Sequence, residues 1–250
     1  MSFTTPLHNK KSIKQAIKKL SLFSFSDINA AYDDCKKSKR NTINALSFEL
    51  NQSEQIIDLE RQLNNRTYKP GTSICFVVKS PKKREIFAAD FRDRVVHHLF
   101  VREIEKYWEK VFIYDSYACR KNKGTQAATN RLQHFLQKVT DGGNKRAYFL
   151  QMDIKNFFIN IDKSILQQLV NRGLQKQYNI NSKTLPLFCD NYSLFDDIKW
   201  LAGVIINHQP QSDCFLRSKK SVWSEISANK TLFNCQFGKG LPIGNFTSQY

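Results

Sequence analysis

The chain has 250 residues, 41% of them hydrophobic and 12% aromatic, which is enough apolar material for a buried core and excludes a disordered tail. Lys and Arg number 39 against 22 Asp and Glu, a formal charge of +17, so a polyanion leads the list of partners and nucleic acid stands ahead of an anionic membrane. The six cysteines form no C-x-x-C pair and have no histidine cluster beside them, which speaks against structural zinc and for a reduced, cytoplasmic chain. The first residues lack a signal-peptide core, and the longest apolar stretch, 200–206, falls far short of the roughly 20 residues that span a bilayer, so no membrane partner is expected.

In chain order, 10–65 reads as helical. Ile13, Ile17 and Leu20 share one face, and Ile56, Ile57, Leu59 and Leu63 recur at helical spacing after Ser53. Asn64-Asn65 and Lys69-Pro70-Gly71 end that stretch. Ile74-Cys75-Phe76-Val77-Val78 changes to strand character, Ser80-Pro81-Lys82-Lys83 is a turn, and Arg84-Glu85-Ile86-Phe87-Ala88 returns as a second strand. Together they predict a β-hairpin with a basic tip. A helix follows over 90–110 with Val95, Val96, Leu99, Phe100 and Ile104 buried, and another over 124–139. After the turn Asp141-Gly142-Gly143-Asn144, a strand is expected over 147–153 and a helix over 164–170. Residues 208–239 read as irregular, polar and basic, and Gly240-Leu241-Pro242 leads into the last residues. The order suggests an α+β chain rather than an alternating βαβ fold. The histidines show no ligand spacing and read as ordinary residues.

Chemistry concentrates in Tyr148-Phe149-Leu150-Gln151-Met152-Asp153-Ile154-Lys155-Asn156-Phe157-Phe158. Asp153 reads either as a cap at a strand end or as a carboxylate for Mg²⁺, a hard cation that takes oxygen ligands. Nucleotidyl transfer by two metals needs further carboxylates to hold the ions roughly 3.5–4 Å apart.

Five separate segments, in order, resemble the reverse transcriptase family, over residues 40–250. Asp153-Ile154-Lys155-Asn156-Phe157-Phe158 resembles its first palm motif. The resemblance implies that Asp153 and the Ile154 carbonyl bind metal, with Asp153 catalytic, and that Phe158 packs under the nucleotide sugar and selects deoxynucleotides. Lys79-Ser80-Pro81-Lys82-Lys83-Arg84 resembles the fingers hairpin, whose Lys79 and Arg84 would hold the incoming triphosphate, a guanidinium offering a planar fork to phosphate oxygens. Asp90-Phe91-Arg92-Asp93-Arg94 resembles the next fingers helix, its Asp-Arg pairs serving as structural ion pairs or as contacts to template. Ser116–Thr125 resembles a basic loop entering a helix. The resemblance gives Arg120, Lys121, Lys123 and Gly124 to the template strand. Gly240-Leu241-Pro242-Ile243-Gly244-Asn245-Phe246-Thr247-Ser248-Gln249 resembles the nucleotide-and-template motif, with Ile243, Gly244 and Gln249 under the nascent base pair. An aliphatic residue before the glycine and a Ser-Gln ending resemble diversity-generating retroelement enzymes more than retron or group II intron ones, and imply relaxed reading of adenines.

The resemblance implies a right-hand polymerase: an N-terminal helical region (1–65), fingers with the basic β-hairpin (66–145), and a partial palm with an incomplete antiparallel sheet (146–250), the thumb absent. Its function would be RNA-directed DNA synthesis in a bacterial or phage retroelement. The implied needs are an RNA template, a DNA or RNA primer, deoxynucleoside triphosphates, two Mg²⁺ ions (or Mn²⁺), and a small basic accessory protein. The family's Tyr-x-Asp-Asp hairpin has no match in these residues. The 250-residue chain alone is therefore expected not to polymerise DNA, and to be aggregation-prone where its palm sheet is uncovered. A non-catalytic RNA-binding protein is the alternative from another class.

Overall fold

A computed structural model describes residues 23–37, 42–80, 82–178 and 190–243. Helix α1 (Phe25–Lys36) starts where the Ser24 side chain accepts from the Asp27 N–H, and it buries Ile28, Ala31, Tyr32 and Cys35, a stripe at i, i+3, i+4 and i+7. Thr42 caps α2 (Ile43–Leu50) in the same way, and α3 (Gln52–Asn64) buries Ile56, Leu59 and Leu63. The helix expected around Ile13 and Ile17 lies outside the described residues.

Strands β1 (Ser73–Val78) and β2 (Arg84–Ala88) pair antiparallel as expected, with Ile74 opposite Ala88 and Val78 opposite Arg84. Asp90 then caps α4 (Phe91–Val111). The five residues expected on its buried face are all buried, and Phe91 adds a ring cluster with Tyr32 and Phe48 at centroid distances of 5.4–6.1 Å. Each such ring removes enough apolar area from water to stabilise the fold by about 1.5–3 kcal/mol.

Helix α5 (Thr125–Val139) forms where the sequence places it, but it buries no residue: Leu132, Phe135, Leu136 and Val139 remain exposed along one stripe. A single turn, α6 (Phe157–Asn160), precedes α7 (Lys163–Gln177), which Asp162 caps. Helix α8 (Asp190–Asn207) packs against α7, and both lie on α4. Gly173 of α7 permits that approach, since a Cβ there would stand 2.6 Å from the Trp108 ring. One buried cluster runs from Phe23 through α4, α7 and α8 to Leu241.

Within 208–239 a short strand, β3 (Cys214–Leu216), adds in parallel to β1, giving the order β2-β1-β3. It is followed by α9 (Lys220–Trp223) and two 3-10 turns, Ala228–Lys230 and Leu232–Asn234. The architecture is thus α+β, with many helices and one small mixed sheet.

Two expectations need correction. The strand expected over 147–153 is not formed; those residues are irregular, and Tyr148, Leu150 and Met152 are about as exposed as Phe149, at 78–94%. The antiparallel sheet it was to anchor is absent among the described residues, where the only sheet belongs to the hairpin and β3. The reason is physical. An apolar run has strand propensity, but its N–H and C=O groups need a neighbouring strand, and none of the described residues supplies one.

Candidate nucleotide and nucleic-acid site

The two faces of the hairpin have different duties. Cys75 and Phe87, opposite each other, pack on Leu232, with Ile159, Trp223 and Cys235 around them. Glu85 shares that side. Its buried carboxylate accepts from the Thr231 hydroxyl at 2.6 Å and from the Leu232 N–H. Burial raises the Glu85 pKa, and those two hydrogen bonds pull it back. Glu85 therefore staples the hairpin to 231–232, a role the sequence did not signal. The tip carries Lys79, Lys82, Lys83 and Arg84, all exposed. Lys83 pairs with Glu225, while Lys79 and Arg84 make no side-chain hydrogen bond or ion pair among the described residues and stay available to an anion.

Asp153 and Ile154 are exposed in the irregular segment before α6. No group of three or more His, Cys, Asp or Glu among the described residues gathers as a metal site. One carboxylate and one carbonyl do not complete a two-metal centre, so these residues do not fit Mg²⁺ by themselves.

Phe158, half-buried, meets the Phe157 ring edge-on at 5.3 Å. Its carbonyl accepts from the Leu241 N–H at 2.9 Å, and the Ile161 carbonyl accepts from the Gly240 N–H at 2.8 Å. Asp162 and Lys239 form an antiparallel bridge beside them. Two motifs distant in sequence are thereby laid side by side, with Ile243 two residues beyond the junction. Gly244 and Gln249 lie outside the described residues.

The basic loop is a knot rather than an open grip. Arg120 donates to both Glu109 oxygens, at 2.8–3.1 Å, and to the carbonyls of Ile113 and Ser116 at 3.0 Å, with Phe112 under its guanidinium. Lys123 donates to the Tyr114 carbonyl at 2.6 Å and lies over the Tyr114 ring. These two side chains organise the loop. Lys121 is exposed and uncommitted, and Gly124 holds a φ of 103° at the start of α5.

Three of the histidines, ordinary by sequence spacing, come together in the fold. His97 and His98 on α4 and His208 after α8 all line one cavity. The available signal was Arg94, His97 and His98 at i, i+3 and i+4 on an otherwise apolar helix face. Desolvation, then His208, His98 and Arg94, push the His97 pKa down to about 4. Burial lowers His98 and His208 too, opposed at His98 by Asp34 and at His208 by Asp213. A folded pKa below the unfolded value of about 6.5 means that the unfolded chain binds the proton first, so stability present above pH 6.5 is lost as pH falls. Between pH 7 and 5 the loss from His97 is expected to be roughly 1–2 kcal/mol, read as a falling urea midpoint. His97→Gln should flatten that slope; an unchanged slope would refute the assignment. Asp93 and Glu85, raised by burial, oppose the loss only nearer the carboxylate range.

No helix among the described residues is long and apolar enough to cross a membrane. No protein-family model matches the chain, and no curated protein matches it.

Proposed function

We propose that this chain is the fingers and first palm segment of a reverse transcriptase, an RNA-directed DNA polymerase of the diversity-generating retroelement type. The observation that carries the reading is the junction of Leu241 with Phe158, which brings two of the five family-like segments into one place beside a hairpin with a basic tip. In this reading Lys79 and Arg84 hold the triphosphate, and Phe158 stands against the sugar. Ile243, with Gly244 and Gln249, shapes the floor under the base pair. Asp153 would supply one carboxylate of a two-metal site, which the described residues do not complete. RNA template and primer follow the positive surface, of which Lys121 is the uncommitted cation in the basic loop.

The test is primer extension on an RNA template by the protein encoded by the reading frame containing these residues. Extension with deoxynucleotides and Mg²⁺ is expected. Arg84→Gln should raise KM for the nucleotide about tenfold with little change in kcat, the effect of removing one charge-assisted phosphate contact. A second reading, RNA binding without chemistry, is favoured by the isolation of Asp153 among the described residues. It predicts salt-dependent RNA affinity and no extension at all.

A further inference from the structure

The hairpin face opposite the Glu85 staple is not packed. Ile74, Phe76, Ile86 and Ala88 alternate onto that side, and with Phe91 they wall a cavity of about 810 Å³. Such a volume is the size of a small-molecule pocket, typically about 300–1,000 Å³. Its polar lining is one-sided. Arg94, His97, His98, His208 and Arg217 all contribute, and among the described residues no Asp or Glu does. Among the described residues none of the three imidazoles makes a hydrogen bond, nor does the Arg217 guanidinium. Arg94 commits one donor, Nε, to the Ala89 carbonyl at 2.9 Å, out of five.

The nearest acids are already engaged. Asp34, which faces His98, accepts from Lys37 at 2.8 Å and pairs with Arg102. Asp213, which faces His208, accepts from Thr72 at 3.0 Å, and Lys163 donates to the His208 carbonyl at 2.8 Å. The described lining of this aromatic and aliphatic cavity therefore holds two guanidinium charges, Arg94 and Arg217, and three imidazoles that burial keeps neutral near pH 7, with no acidic side chain among them. Grouped basic groups without a partner cost free energy unless an anion joins them.

We propose that this cavity binds a phosphate ester carried on a flat apolar body, the chemistry of a nucleotide, with Arg94, Arg217 and the three histidines around the phosphate and the ring against Phe76 and Ile86. The guanidinium forks match phosphate oxygens, and the imidazoles become donors at both nitrogens when protonated. His97 stays neutral and offers one N–H donor, while binding of the anion draws protons onto His98 and His208, so affinity rises as pH falls from 8 to 6. The site does not rest on the polymerase reading. None of its charged residues is among Asp153, Lys79 and Arg84, and Ile243 is the one lining residue the two readings share. The nucleotide can be free or part of a strand.

The test is calorimetric titration of the 250-residue chain with adenosine monophosphate, adenosine and a 5′-phosphorylated tetranucleotide. Adenosine monophosphate is expected to bind at least tenfold tighter than adenosine, and tighter at pH 6 than at pH 8. Arg217→Gln and His208→Gln should each weaken it about tenfold, and Lys138→Gln, exposed on α5 and outside the cavity lining, should leave it unchanged. Arg217 is exposed, so its replacement leaves the melting temperature in place and isolates binding from folding. Preference for the mononucleotide would mark a free nucleotide as the source, and preference for the tetranucleotide, with the same variant dependence, a strand. No saturable binding, binding indifferent to Arg217→Gln and His208→Gln, or equal weakening by Lys138→Gln would overturn the proposal.

Discussion

Asp93→Ala is expected to destabilise the chain by about 3–4 kcal/mol. Asp93 is 1% exposed, yet it carries a carboxylate, which must be hydrogen-bonded to be tolerated there. It accepts from the Tyr68 hydroxyl at 2.7 Å and from the Gly71 N–H at 2.8 Å, and the Arg92 guanidinium stands 4.0 Å away. Burial raises its pKa, and the Tyr68 and Gly71 bonds bring it back. Alanine would strand a phenol that is 3% exposed and a backbone N–H, each left unsatisfied at about 1–3 kcal/mol. Asparagine keeps one acceptor and the same shape, and should cost about half as much. The measurement is the urea midpoint at constant m-value; a loss under about 1 kcal/mol for alanine would show that water reaches both donors. The consequence extends past stability. Gly71 leads directly into β1, so Asp93 ties the base of the hairpin to α4, and with it the spacing between the cavity's apolar wall and its histidines.

That pair of roles shows which parts of the molecule sequence can carry. Helix α4 was legible because Val95, Val96, Leu99, Phe100 and Ile104 repeat at helical spacing, a local property. The hairpin was legible from β-branched residues on either side of a Ser-Pro turn. The segment 147–153 has the same local signal and fails, because a strand is a relation between two segments and periodicity reports only one. Helix α5 was correctly expected, but its stripe of Leu132, Phe135, Leu136 and Val139 is exposed among the described residues. Helix α8 was not expected, because only its apolar end, 200–206, stands out in the sequence.

The site divides in the same way. Lys79 and Arg84 were legible as an exposed basic tip. Arg120 was legible as basic but not as internal, since its partner Glu109 lies on the preceding helix and the sequence does not tell which carboxylate a loop arginine will meet. The cavity depends on His208 meeting His97 and His98 across the fold, and no spacing rule joins them. Glu85 alternates with apolar neighbours in β2 and looks like the solvent-facing residue of a half-buried strand. It is buried because Thr231 and Leu232 offer it donors.

Gly240→Ala is expected to cost about 3–5 kcal/mol, and Gly238→Ala only about 1–2 kcal/mol. Both glycines hold left-handed backbone, at φ +87° and +78°, so both substitutions incur the backbone strain of a side chain there. They differ in what a Cβ meets. At Gly238 there is nothing within 4 Å. At Gly240 the Cys235 sulfur stands at 2.6 Å and a Leu232 methyl at 2.7 Å, both held by packing under the hairpin, with the Cys235 Sγ 3.1 Å from the Ile159 carbonyl. Neither neighbour can retreat without disturbing Phe87 or Glu85, so overpacking adds to strain at one position and not at the other. The comparison of the two variants by urea denaturation isolates the packing contribution. Equal losses would mean that 231–241 moves freely on the hairpin. The expected difference means that 238–241 is clamped between the hairpin's packed face and the backbone of 158–163, holding Phe158 and Ile243 in fixed relation. Gly240→Ala should then also loosen whatever ligand the Ile243 side of the cavity receives, while Gly238→Ala should not.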